Sequence, residues 1–258
     1  FGAALSINSL NVSVSVHNSV FYGSGVHTDA GALSIVGAAD VSLYNSTIAQ
    51  YVTARGAVTI VNVSSVTVMN STLYNNTAVP LPALAGSDAQ CGGAGVWALL
   101  NAYSAQVSVV LTNSSLIGNR ALCVAQLTSV NIGVGGGAVR AVVSGLEGSS
   151  AQLTLHNSVL TDNALDASFT HAFGAANDST IVIGGGGAVL FAVTASPVMS
   201  VNMSVTDSVI HSNHVTAHSS VVMFMGSAVA GGAGVLVAAS HVGQTTTQLD
   251  AVLSDTVV

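Results

Sequence analysis

The sequence predicts an all-β chain folded as a single-domain parallel β-solenoid of about seven coils. Three observations carry this reading. A short motif of Asn or Asp, then Ser or Thr, recurs seven times; each copy follows a period-2 run of apolar residues; and each repeat opens on Gly-Ala. Repeats of 20–50 residues are the signature of stacked architectures.

The opening element is Gly-Ala ahead of an apolar stretch, and the coils start near residues 2, 31, 56, 93, 137, 187 and 232. Glycine at that point permits positive φ or close backbone approach at a corner. Strands follow, because apolar and mixed residues alternate. Val16, Leu43, Val68, Leu111, Leu155, Val205 and Leu253 lie two positions before the motif, and His17, Tyr44, Met69, Thr112, His156, Thr206 and Ser254 one position before it. That alternation is a half-buried strand. The motif itself begins at Asn18, Asn45, Asn70, Asn113, Asn157, Asp207 and Asp255. Stacked at an inward or turn position, these residues are expected to form a coil-to-coil amide ladder. Spacings of 27, 25, 43, 44, 50 and 48 residues put short coils first and longer ones after. The extra residues are expected between the Asn-Ser motif and the next Gly-Ala, on one face of the stack.

These strings resemble the Gly-Gly-Ala-[Ile/Leu/Val] and Phe-x-x-Asn repeats of chlamydial polymorphic membrane proteins. Gly136-Gly137-Ala138-Val139 and Gly186-Gly187-Ala188-Val189 carry the first, and Leu73-x-x-Asn76, Leu116-x-x-Asn119, Leu160-x-x-Asn163 and Ile210-x-x-Asn213 the second. Ser24 and Tyr51 stand where the remaining copies would have Asn. The resemblance implies a right-handed parallel β-helix and a surface-displayed or secreted passenger with adhesive or structural roles. The chain is expected to be a segment of a longer one, or a stacking unit.

Composition narrows the function. Charged residues are 5% of the chain, against about 25% in ordinary domains. There is no lysine, and the cations are Arg55, Arg120 and Arg140. Without a basic patch, nucleic-acid binding is not expected. At a mean hydropathy of +0.68, the surface calls for cover by lipid, glycan or neighbouring subunits. The long uncharged run from Val221 to Ala239 contains four glycines and spans an opening motif, so it is assigned to a coil and not to a membrane span.

Catalysis is not expected. Glycoside hydrolysis needs paired carboxylates, whereas the nine aspartates are dispersed over different repeat positions. The Asn-Thr-Asp, Asp-Asp, Gly-His-Gly and Arg-Ile-Lys strings of polygalacturonase-type solenoids do not occur. A polysaccharide lyase or hydrolase is therefore the least favoured reading. The glycine runs lead into strands with no following Lys, so they are corners and not phosphate cradles. His211, His214 and His218 fall in an expected loop and are assigned no metal, since zinc needs three or four converging ligands. No cofactor is expected.

Eight asparagines precede x-Ser/Thr: Asn11, Asn45, Asn62, Asn70, Asn75, Asn113, Asn177 and Asn202. Asn45, Asn70 and Asn113 also belong to the ladder, where burial would forbid a glycan. Asn11, Asn75 and Asn202 are therefore the first candidates for glycosylation, followed by Asn62 and Asn177. Cys91 and Cys123, in loops flanking one coil, are a disulfide candidate suited to an extracellular protein; two unrelated small apolar residues are the alternative.

The expected function is a non-enzymatic extracellular or cell-surface structural protein, a glycosylated building block of a fibre, filament or sheath that assembles with itself. Seven coils at about 4.8 Å make a step of roughly 34 Å. The alternative is an adhesin or carbohydrate-binding passenger, disfavoured because Trp97 is alone and the five tyrosines are spread along the chain.

Overall fold

The computed structural model describes residues 4–28, 31–79, 89–101, 106–127, 132–145, 149–171, 182–184, 187–195, 200–219, 228–230, 234–241 and 248–254. Its secondary structure is all β, with no helix among the described residues. The strands form five sheets of seven, seven, six, six and four strands, and every pairing is parallel. Successive strands of a sheet come from successive repeats, which is the architecture of a parallel β-solenoid. None of the described helices is long and apolar enough to cross a membrane, there being none at all.

Within a repeat the chain visits the sheets in a fixed order. The third repeat, for example, runs through Val58–Val63 in the first sheet, Ser65–Met69 in the second, Thr72–Tyr74 in the third and Thr77–Ala78 in the fourth. Pairing keeps like residues over like. Val66 lies between Val41 and Val109, and Leu73 between Ile48 and Leu116. A one-residue slip would turn every apolar side chain out of the core, so this register is strongly specified. The core is the channel enclosed by these strands, filled by columns such as Ile48, Leu73, Leu116, Leu160 and Ile210.

The opening glycines sit where one coil crowds the next. A Cβ on Gly31, Gly56 or Gly137 would run into the backbone carbonyls of Ala57, Gly93 and Gly187 respectively. The register corrects the motif in two repeats. Val96 pairs with Val58 and Val139, which aligns Gly95, and not Ala94, with Ala57 and Ala138. Val235 pairs with Val189, so Gly234 takes that place in the last repeat. An extra glycine has been inserted there, and its small size lets the strand keep step.

The added length of the later repeats is also distributed differently from the sequence expectation. Part of it does lie between the Asn-Ser motif and the next opening. The two-residue strands His27–Thr28, Val52–Thr53 and Thr77–Ala78 give way to Arg120–Leu127 and Ala164–His171, and the fifth sheet adds Ala89–Cys91, Ile132–Val134, Val182–Gly184 and Ala228–Ala230. The rest lies on the other side of the coil. Gly56 stands 14 residues before Asn70, but Gly93 stands 20 before Asn113. Of the added residues, one is the inserted glycine, three lie between the first-sheet and second-sheet strands, and two lengthen the second-sheet strand, Gln106–Thr112 against Ser65–Met69; the first-sheet strand Val96–Asn101 is no longer than Val58–Val63. The coil thus widens on both sides. Residues 228–230 and 235–239 of the long uncharged run lie on strands of the fifth and first sheets; apart from Gly234, the rest of that run lies outside the described residues.

Candidate functional site: polar ladders and an aromatic cluster

The repeated Asn opens the turn between the second and third sheets. Asn18, Asn45, Asn70, Asn113, Asn157 and Asp207 all hold φ between 46 and 52°, the left-handed region that Asn and Asp tolerate best after glycine. All six are exposed, which corrects the expectation that ladder membership buries Asn45, Asn70 and Asn113. A side chain at a left-handed turn projects away from the coil, so burial is no obstacle to modifying them. Side-chain amides join Asn45 to Asn18 at 3.3 Å and Asn157 to Asn113 at 2.9 Å. Asp255 lies outside the described residues.

The buried ladder is built one residue later. Ser46, Ser71, Ser114, Ser158 and Ser208 are all about 2% exposed or less. Each donates its hydroxyl to the carbonyl two residues back, at 2.7 to 2.9 Å. Each Oγ also accepts the backbone N–H of the corresponding serine in the preceding repeat, from Ser19 through Ser158, at 3.1 to 3.3 Å. The hydroxyl thereby satisfies a donor and an acceptor that the turn leaves unpaired inside the stack.

A second buried ladder lies six residues after the turn. Asn76, Asn119 and Asn163 are fully buried. The Nδ2 of Asn76 donates to Oδ1 of Asn119, Asn119 to Asn163, and Asn163 to Asn213, at 3.0, 3.0 and 2.9 Å. The same Nδ2 groups donate to the carbonyls of Ile48, Leu73 and Leu116. Their Oδ1 atoms accept backbone N–H groups from the preceding repeat, Tyr51 donating to Asn76 at 3.1 Å. The ladder stops there because residue 51 is Tyr. Burial raises the Tyr51 phenol above its ordinary range.

Two of the tyrosines dispersed in sequence come into one column, and Tyr103 lies outside the described residues. Tyr22 and Tyr74 both pair with Ala49 in the third sheet, one on each side. Ala49 is fully covered although it lies outside the core cluster. A hydrogen bond with Tyr22, and then burial, hold the Tyr74 phenol above its ordinary range. On the neighbouring sheet the His17 ring stacks on Tyr44, with centroids 4.9 Å apart and planes 9° from parallel.

On the outer face of the first sheet, Thr59, Trp97, Arg140 and Leu190 stand in register and are buried. Arg55 and Arg140 both lie over the Trp97 ring, at 4.9 and 5.8 Å from its centre. Burial pulls the Arg140 guanidinium down to about 10, and the ring's negative face offsets part of that desolvation. The third cation, Arg120, pairs with Asp166 at 2.6 Å in an exposed contact of small energetic weight.

The remaining candidates are placed as follows. A disulfide joins Cys91 and Cys123, with Cα atoms 5.8 Å apart. Both residues lie on strands, Ala89–Cys91 and Arg120–Leu127, and not in loops as expected. The bond ties the first strand of the fifth sheet to the fourth sheet, where short coils give way to long ones. Asn11, Asn62 and Asn75 are exposed at positive φ, and Asn62 accepts a hydrogen bond from Asn101 at 2.7 Å. Asn202 is half-buried within Ser200–Thr206, and Asn177 lies outside the described residues. His211 and His214 are on the strands Val209–His211 and His214–Ser219, as is the backbone of His218, which corrects their assignment to a loop. Their partners are hydroxyls: Thr161 and Ser212 for His211, Thr216 for His214. Among the described residues no three His, Cys, Asp or Glu side chains group as metal ligands.

Both buried ladders were written in the sequence, as the Ser of the turn motif and the Asn six residues after its start. The Tyr22–Ala49–Tyr74 contact carried no local signal. No protein-family model, curated protein or solved structure matches the chain.

Proposed function

We propose that this chain is a non-enzymatic extracellular structural protein, a glycosylated seven-coil β-solenoid that builds a surface fibre, filament or sheath by stacking on further copies. Right-handed winding is part of the proposal. It is the hand implied by the likeness to polymorphic-membrane-protein repeats, and the one that parallel crossovers adopt almost without exception. The observation that carries the reading is the distribution of exposed apolar side chains. Among the residues whose burial is described, Leu5, Leu10, Val12, Val20, Tyr22 and Val26 are the exposed large hydrophobics, and all belong to the first repeat. Open strand edges flanked by apolar side chains are templates for another coil, of this chain or of a further copy. The Ser19 hydroxyl of the in-register Ser column supplies an acceptor for one more N–H.

Glycans would supply the hydration that a 5%-charged surface lacks. Asn11 and Asn75 remain the first candidates because both are exposed at turns, with Asn202 on the outer face of the second sheet. The exposed turn residues Asn45, Asn70 and Asn113 join them. Electron microscopy of native material with glycopeptide mass spectrometry tests the proposal. Filaments bearing hexose-modified peptides at these sites are expected; discrete unglycosylated monomers would refute it.

The adhesin or carbohydrate-binding reading is favoured by one observation. Four of the five tyrosines lie within the first three repeats, and aromatic rings beside amides are what sugar rings stack on. A polysaccharide array distinguishes the two, since retention on one glycan class with no filaments would select this second reading.

A further inference from the structure

We propose that Tyr22 and Tyr74 are an oxidative cross-linking site, at which a peroxidase with hydrogen peroxide couples the two phenols into an intramolecular dityrosine that staples the first repeat to the third. The inference does not depend on glycosylation or on self-assembly.

The geometry comes from register. Tyr22 pairs with Ala49, and Ala49 pairs with Tyr74, so the two tyrosines share an outward column two coil spacings apart, about 9.6 Å along the axis. The residue between them is the smallest that carries a Cβ, which leaves a notch that larger side chains can close over. They do close over it, for Ala49 is fully covered on a face where Tyr22 is 57% exposed. The Tyr22 phenol is near enough to Tyr74 to hold that phenol above its ordinary range. A dityrosine joins two rings through the carbons beside their hydroxyls, and two rings in one column with only an alanine between them can lean together to form that bond.

The step balances with the named oxidant. Each phenol loses one electron and its hydroxyl proton to give a phenoxyl radical. The two radicals form one C–C bond between carbons ortho to oxygen. The hydrogens displaced from those carbons return to the oxygens, and hydrogen peroxide is reduced to two waters. Preorganisation makes the coupling unimolecular, so it outruns encounters between chains at ordinary protein concentration. The exposure of Tyr22 gives a peroxidase product access to the pair. Tyr44 is stacked on His17, and Tyr51 is half-buried against the core.

The test uses the whole chain with a haem peroxidase and hydrogen peroxide, reading dityrosine fluorescence in the monomer fraction. Cleavage at Arg55 and Arg120 separates the two tyrosines in the unmodified chain. The expected result is a pair of peptides from either side of Arg55, joined with the loss of two hydrogens. The yield should not change on tenfold dilution. Tyr22→Phe and Tyr74→Phe should each abolish the monomer signal while keeping the parent's circular dichroism, and Tyr44→Phe should leave it intact. Three outcomes overturn the proposal: dityrosine confined to dimers and falling with dilution, a monomer signal that survives Tyr22→Phe, or no coupling while added free tyrosine is oxidised in the same tube.

Discussion

Replacing Asn119 by Ala should destabilise this chain by about 3–5 kcal/mol, far more than the same change at the exposed turn residue Asn113 six positions earlier. Asn119 is fully buried and its side chain takes part in four hydrogen bonds. Nδ2 donates to the Leu73 carbonyl at 2.9 Å and to Asn163 Oδ1 at 3.0 Å. Oδ1 accepts from the Asn76 N–H at 3.3 Å and from Asn76 Nδ2 at 3.0 Å. Truncation leaves Asn76 Nδ2 its bond to Ile48 and leaves Asn163 Oδ1 the Asn119 N–H. The Asn76 N–H and one face of the Leu73 carbonyl lose a partner in the core. Each such group costs about 1–3 kcal/mol, and the small cavity adds to it. At about 2–4 °C per kcal/mol for a chain of this size, the melting midpoint should fall by roughly 6–20 °C. Asn113→Ala should cost about 1 kcal/mol, the penalty for Ala in a left-handed turn, and Asn113→Gly close to nothing. Thermal melts followed by circular dichroism, with urea titrations beside them, compare the three. Equal costs at 113 and 119, or a larger one at 113, would show that the buried amides do not carry the stack. Asn119→Asp tests the same site by pH. The new carboxyl would face the oxygens of Leu73 and Asn163 and would be held protonated, with its folded pKa above the unfolded value of about 3.9. Its stability contribution is then present below pH 4 and lost as pH rises through the folded pKa.

Reduction of the Cys91–Cys123 bond, or a Cys91→Ser/Cys123→Ser double change, should lower stability by up to about 3.7 kcal/mol from the loop-entropy relation for a separation of 32 residues; urea midpoints with and without reductant measure it. Gly137→Ala forces a Cβ against the carbonyls of Gly187 and Ala164, so soluble yield should collapse, whereas Gly25→Ala, at a glycine with open space around it, should cost only about 1 kcal/mol for its positive φ. Tyr51 and Tyr74 both titrate above the ordinary 10 when folded. The stability they contribute is therefore complete below pH 10 and drains away as pH climbs through their folded values. Melts across pH 9–12 should show this decline, and Tyr22→Phe should lower the Tyr74 midpoint in a spectrophotometric titration.

The parallel stacked fold, its strands and its corner residues were legible in the amino-acid order, because every coil solves the same packing problem with the same residue types. Val16 over Leu43 over Val68 is a period that survives translation along the axis, and the recurring Asn marks the one turn that needs a left-handed residue. What the order could not assign was depth. Asn113 and Asn119 are the same residue type six positions apart, yet one faces water and the other closes a buried ladder. Their burial follows from where the strand ends turn, which only the closed coil determines. The same holds for the long-range groupings. Tyr22 and Tyr74 are 52 residues apart in the chain, and Arg55 and Arg140 are 85 apart. They meet because stacking shrinks each repeat, whatever its length, to one strand spacing along the axis. Sequence patterning determined which residues repeat; the tertiary structure decided which of the repeated and unrepeated residues become neighbours.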